Sequence, residues 1–99
     1  MRDAALERFL DMLDRERLAP LEVLLLLRVA TSEPTVVELA AALDREPITI
    51  RRAAAGLIGR GLLRQRPARR GLVLETMPSG LSALSRLAEP LDRSLRSHG

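Results

Sequence analysis

The sequence predicts a small α+β domain, mostly helical, with one basic β-hairpin between its fourth and fifth helices. Three observations lead there. Apolar residues recur at steps of three and four along successive stretches, the period of helices with one inward face. From Leu63 to Glu75 that period gives way to two short runs separated by Pro67-Ala68-Arg69-Arg70-Gly71, the pattern of a hairpin. The charge is also uneven. Seven of the sixteen arginines (Arg51, Arg52, Arg60, Arg64, Arg66, Arg69 and Arg70) fall within residues 47–74, which hold no acidic residue. Residues 1–46 carry −4 and residues 75–99 carry zero, so the net charge of +3 conceals a centre of +7. A local block of that size steers a polyanion where the average charge would not.

The elements follow in order. Leu6, Phe9, Leu10 and Leu13 form one stripe of a first helix that Asp3 is placed to cap. Pro20 suits the first position of a second helix running to about Val29, and its apolar run Val23–Leu27 predicts the buried centre of the domain. Ser32-Glu33-Pro34 ends it. Thr35-Val36-Val37-Glu38 is a capping box, opening a short third helix with Val36, Leu39, Ala40 and Leu43 inward. Asp44-Arg45-Glu46-Pro47 reads as a tight turn into a fourth helix, about residues 48–60, with Ile50, Ala54, Leu57 and Ile58 at helical spacing. Gly61 stands where the chain would leave that helix in the left-handed conformation. The hairpin spans residues 63–76, and Pro78-Ser79-Gly80 leads into a last helix. Its Leu81, Leu84, Ala88, Leu91 and Leu95 alternate steps of three and four, a short coiled-coil-like seam that Pro90 should kink.

Composition narrows the function classes. Ninety-nine residues at 46% hydrophobic suit one folded domain. Phe9 is the single aromatic residue, which argues against stacking-based recognition of single strands or RNA. Without cysteine there is no disulfide, thiolate metal site or Cys nucleophile. The lone His98 has no companion ligand, so neither a metal nor another cofactor is expected. Asp11, Asp14 and Glu16 fall on the polar side of the first helix and read as solvated carboxylates rather than an acid–base pair. No nucleophile–base set or phosphate-cradling loop is present, and no enzyme is expected. The N-terminal stretch is amphipathic rather than an apolar signal core, and the longest apolar run is too short for a membrane span; a cytoplasmic protein is expected.

A capped short helix, a tight turn, a second helix ending in Gly-Leu and a basic hairpin, in that order, make a winged helix-turn-helix. Here the chain resembles the MarR family of bacterial winged-helix transcription regulators. The resemblance covers about residues 18–84. It rests on Thr35-Val36-Val37-Glu38-Leu39-Ala40 and Ile48-Thr49-Ile50-Arg51-Arg52 at the two helix starts. It continues in Leu57-Ile58-Gly59-Arg60-Gly61-Leu62-Leu63-Arg64-Gln65-Arg66-Pro67 and Gly71-Leu72-Val73-Leu74-Glu75-Thr76-Met77-Pro78-Ser79-Gly80. The wing loop is shorter than is usual there, and Ala68 stands where an acidic residue is common. The resemblance implies a homodimer, built from the terminal helices, on pseudo-palindromic operators. The expected organisation is an N-terminal dimerisation helix (1–17), the winged helix-turn-helix (18–78) and a C-terminal dimerisation helix (79–99). Leu6, Phe9, Leu10, Leu13, Leu81, Leu84, Leu91 and Leu95 are the expected interface, because a winged domain this small can hardly bury both stripes within one chain.

At 100° per residue from Ile50, one side of the fourth helix carries Ile48, Arg52, Ala55, Gly56 and Gly59, with Arg51 at its edge. Two glycines inside a helix cost about 1 kcal/mol each against alanine, so the small face should have a use. It would let the helix enter a major groove while Thr49, Arg51 and Arg52 reach bases or phosphates. The plainer alternative is that the glycines admit a neighbouring element. Arg64 and Arg66 share a strand face suited to phosphates, and Arg69 and Arg70 at the loop suit the backbone or minor groove. Alternatively, these arginines keep an edge hairpin solvated. Thr35 is first a helix cap, and a phosphate ligand if that helix end meets DNA. The partners expected are double-stranded DNA and a second copy of the chain, with no membrane and no recognisable effector box. The rival readings are a winged-helix protein-interaction module and a plasmid partition or replication adaptor, which the fold alone does not separate.

Overall fold

A computed structural model describes the backbone of residues 4–97 and, within it, the side chains of residues 4 and 6–88. Five helices and one hairpin follow in order: α1 (Ala4–Glu16), α2 (Pro20–Ser32), α3 (Val36–Leu43), α4 (Pro47–Gly59), β1 (Leu63–Ala68), β2 (Gly71–Thr76) and α5 (Pro78–Ser97). This is the predicted α+β winged helix-turn-helix. The caps foreseen for α2 to α4 are present. Pro20 is the first residue of α2, and Glu22 reaches back to accept from Ala19 N at 2.8 Å. The Thr35 box closes both ways: Glu38 N donates to Thr35 Oγ1 at 3.2 Å, and Thr35 N donates to Glu38 Oε1 at 2.9 Å. α4 ends in a Schellman motif with Gly61 left-handed at φ 76°. Gly61 N donates to Ile58 O at 2.9 Å and Leu62 N to Leu57 O at 3.0 Å, and Leu62 is buried. Asp3 and His98 lie outside the described residues.

The core is aliphatic. Leu25, Leu26 and Val29 of α2 meet Leu39 of α3, Ile50 and Leu57 of α4, Leu63 and Leu74 of the hairpin, and Leu87 of α5. α2 runs three residues past its expected end, to Ser32, where Glu33 takes a left-handed cap at φ 44°. α2 supplies the buried centre as expected, but not with its whole apolar run: Leu24 and Leu27 are 45% and 49% exposed. A helix in a single layer can turn only about half its circumference inward.

The hairpin is tighter than expected. Ala68 pairs with Gly71, leaving Arg69-Arg70 as the whole turn, with Gly71 at φ 118°. β2 also engages the chain before α3: Leu74 N donates to Pro34 O at 2.8 Å, and Thr35 bridges antiparallel to Val73. This third, one-residue strand anchors the wing to the helix-turn-helix. At Gly80, α5 passes so close to the hairpin that a Cβ would collide with Leu62 O and approach Thr76 Cγ2 to 2.8 Å.

The terminal helices correct the sequence reading most. α1 packs against α5 of the same chain, with Leu13, Ala83 and Leu87 buried and Phe9 and Leu84 packed beside them. Two stripes on neighbouring helices can bury each other, so the inference that one chain cannot accommodate them does not hold for Leu13, nor in large part for Phe9 and Leu84. The inner face of α5 holds Gly80, Ala83 and Leu87; of the seam residues, Leu84 packs beside it and Leu81, at 51% exposed, points away. Polar ties flank this contact. Arg86 Nε and Nη2 donate to the Glu16 carboxylate at 2.6 and 3.0 Å. Arg60 donates to Glu16 O, the last carbonyl of α1, and to Arg17 O just beyond it at 2.7 Å. Glu16 is therefore an ion-pair partner, not a solvated carboxylate. Leu6 and Leu10 remain 47% and 51% exposed; the side chains of Leu91 and Leu95 lie outside the described residues.

Candidate nucleic-acid interface

The site is built on α4. Ile50, Ala54 and Leu57 sit at steps of four and three and are buried, which rolls the opposite side of the helix outward. Ile48, Thr49, Arg51, Arg52, Ala55, Gly56 and Gly59 are all exposed there. A Cβ placed on Gly56 or Gly59 would meet nothing within 4 Å, so neither glycine makes room for a neighbouring element of this chain. That removes the plainer explanation of the small face. Among the described residues neither Arg51 nor Arg52 makes an ion pair, so both guanidiniums are available to a ligand.

Beside α4, the start of α3 and the wing bound an open cleft of about 520 Å³. It brings together Thr35, Val37 and Glu38 of the α3 entry, Arg51 of α4, and Gln65, Arg70 and Leu72 of the wing. Of the residues singled out in the sequence, Thr35, Arg51 and Arg70 meet here. The Thr35 hydroxyl is already engaged as the α3 cap. Exposed Val37 and Leu72 form apolar lips at 67% and 55% exposure.

The wing arginines are placed differently from Arg51 and Arg52. Strand side chains alternate, and Gln65 lines the cleft, so Arg64 and Arg66 project from the other face of the hairpin. There they meet acids from outside residues 47–74. Arg64 Nε and Nη2 donate to the carboxylate of Glu75, its cross-strand partner, at 3.0 and 3.1 Å. Arg66 Nη2 donates to Glu33 at 2.5 Å, and its Nε lies 3.4 Å from Glu75. Arg70 donates to Glu38 Oε2 at 3.3 Å and to Glu33 O at 3.1 Å. Arg69, at the turn, is exposed and makes no ion pair among the described residues. The basic block thus has balancing acids in space, though none in its own sequence segment. Arg64 beside it holds the Glu75 carboxyl below its ordinary 4.5. The Thr35 backbone N–H, with Arg70 assisting, does the same for Glu38. These carboxylates are therefore charged wherever the protein is folded near neutrality.

Sequence reasoning missed Gln65, Val37 and Leu72 as cleft residues, although alternation along β1 already puts Gln65 opposite Arg64 and Arg66. Nothing local signalled Glu33 and Glu38, more than thirty residues from the arginines they meet.

The described residues contain no helix long and apolar enough to cross a membrane. Neither a protein-family model nor a curated protein matches the sequence. Solved structures match in fold. A MarR crystal structure is 23% identical with a TM-score of 0.74, over 85% of this chain and 60% of that one. The S. aureus MepR–DNA complex is 15% identical with a TM-score of 0.82, over 94% of this chain and 81% of MepR. The transcriptional regulator BldR from Sulfolobus solfataricus is 21% identical with a TM-score of 0.75, over 93% and 69%. The chain spans about 60% of the length of the MarR it matches. With three helices, a turn-linked fourth, an anchored wing and a closing helix, this chain has the winged helix-turn-helix fold that MarR, MepR and BldR share.

Proposed function

We propose that the protein binds double-stranded DNA sequence-specifically and regulates transcription, with α4 in the major groove. The observation that carries this reading is the open face of α4. Arg51 and Arg52, which make no ion pair among the described residues, precede Gly56 and Gly59, whose missing side chains no described neighbour fills, on a helix whose other side is buried. Small residues let a helix backbone approach base edges, and Arg51, Arg52 and Thr49 are the side chains that would reach them. Arg69 at the wing tip would meet the backbone or minor groove. The MepR structure of the same fold is a DNA complex, which supports DNA as the ligand, and the near absence of aromatic residues favours a duplex over a single strand.

Within this reading the protein acts as a homodimer. Support comes from Leu6, Leu10, Leu24 and Leu27, which are half exposed. Leu10, Leu24 and Leu27 line an apolar groove of about 370 Å³ between α1 and α2. A second copy would cover these side chains, and two copies would present two α4 helices to an inverted repeat. The test is selection from random duplexes with the purified protein. Enrichment of an inverted repeat is the expected result. Absence of enrichment at low salt, with capture of a defined protein partner through α4, would replace this reading with that of an interaction module.

A further inference from the structure

The junction between α2 and α3 holds the wing by its arginines. Glu33 is the left-handed cap of α2, a position that favours glycine or asparagine and has no backbone need for an acid. Its carboxylate accepts from Arg66 at 2.5 Å and its carbonyl from Arg70 at 3.1 Å. Glu38 divides its two oxygens: Oε1 serves the capping box, and Oε2 accepts from Arg70 at 3.3 Å. All four side chains are 42–56% exposed, so water and salt reach these pairs, and another anion can exchange into them.

We infer that Glu33 and Glu38 are intramolecular stand-ins for backbone phosphate, holding Arg66 and Arg70 so that these two cations reach a duplex only by exchanging carboxylate for phosphate. This rests on the DNA-binding reading and extends it: the two glutamates set how strongly the wing takes part in sequence-independent binding. Sequence-independent affinity is built from cation–phosphate contacts that release counterions. A guanidinium already facing a carboxylate contributes less to that release, and the displaced carboxylate then stands beside the incoming phosphate. Among the described residues Arg51, Arg52 and Arg69 carry no such restraint. The arrangement therefore weights recognition toward α4 and away from non-specific attraction by the wing.

The test measures binding of a scrambled duplex at several salt concentrations for the full chain and for Glu33→Gln and Glu38→Gln. Glutamine at residue 38 can still close the capping box, and thermal melts verify that each variant folds. Each variant is expected to bind the scrambled duplex more tightly, with a salt slope steeper by about 0.9 for each arginine released. A cycle with Arg66→Gln gives a second readout. That change should cost little slope in the wild-type chain and more in the Glu33→Gln chain, up to about one unit, because Glu75 still lies 3.4 Å from Arg66 Nε. Equal losses in both backgrounds, or slopes that carboxylate removal leaves unchanged, overturn this inference alone. Absence of duplex binding by every form overturns the DNA reading and this inference with it.

Discussion

Replacing Gly56 with alanine separates two consequences of the small face on α4. The added methyl would meet nothing within 4 Å, so the folded chain suffers no clash. Gly56 lies well inside α4, three residues before its end. Alanine there should stabilise the protein by about 0.5–1 kcal/mol, because glycine loses more backbone entropy on folding. For a chain of this size, about 1 kcal/mol raises Tm by roughly 4–8 °C, so the gain is a few degrees. If α4 sits in a major groove, the same methyl intrudes between helix and bases. Overpacking a close interface costs about 1–3 kcal/mol, roughly a 5- to 140-fold loss of affinity at 1.4 kcal/mol per tenfold. Because shape and not charge is altered, the slope of affinity against salt should not change. Circular-dichroism melts and anisotropy titrations of the selected duplex at several salt concentrations measure both effects on one preparation. The combination expected is a higher melting temperature with weaker, equally salt-dependent binding. A variant that melts higher and binds the duplex as the parent does would refute the placement of this face against DNA.

Five further outcomes follow from the same geometry. Arg52→Ala, at the centre of the exposed α4 face, should cost about 1–3 kcal/mol at the selected site and relax preference at one base position; Arg69→Ala should weaken all duplexes alike and lower the salt slope by about one, both read by titration against selected and scrambled duplexes. Leu6→Gln with Leu10→Gln should leave the melt intact, since both side chains are half exposed, but reduce a dimer to a monomer by light scattering; an unchanged mass would move the interface elsewhere. Gly80→Ala should destabilise by about 1–3 kcal/mol through its collision with the Leu62 carbonyl just before the hairpin, seen as a lower denaturation midpoint. Glu16 is held below its ordinary 4.5 chiefly by its hydrogen bonds with Arg86. A depressed carboxyl stabilises the fold above 4.5 and stops doing so as pH falls through its lower folded value. Glu16→Gln should therefore melt lower at neutral pH and show a shallower loss of Tm below pH 4.5.

Much of the fold was legible because its signals are local. The Thr35–Glu38 capping box, Pro20 at a helix start, Gly61 past a helix end and the four-three spacing of Ile50, Ala54 and Leu57 each act over a few residues of backbone. Sequence alone therefore determined the element order, the faces of α3 and α4, and the winged helix-turn-helix itself. What it could not determine was what each outward-pointing group meets. The stripes of α1 and α5 read as unpartnered, yet Leu13, Ala83 and Leu87 bury one another within one chain. The seven arginines read as one basic block, yet Arg60 caps α1, while Arg64, Arg66 and Arg70 face Glu75, Glu33 and Glu38. Only Arg51, Arg52 and Arg69 of the block remain open among the described residues. These arginine pairings join residues between 11 and 44 positions apart, where no helical or strand period relates one partner to the other. Periodicity tells a side chain which way to point; only the packed chain brings its partner to that place.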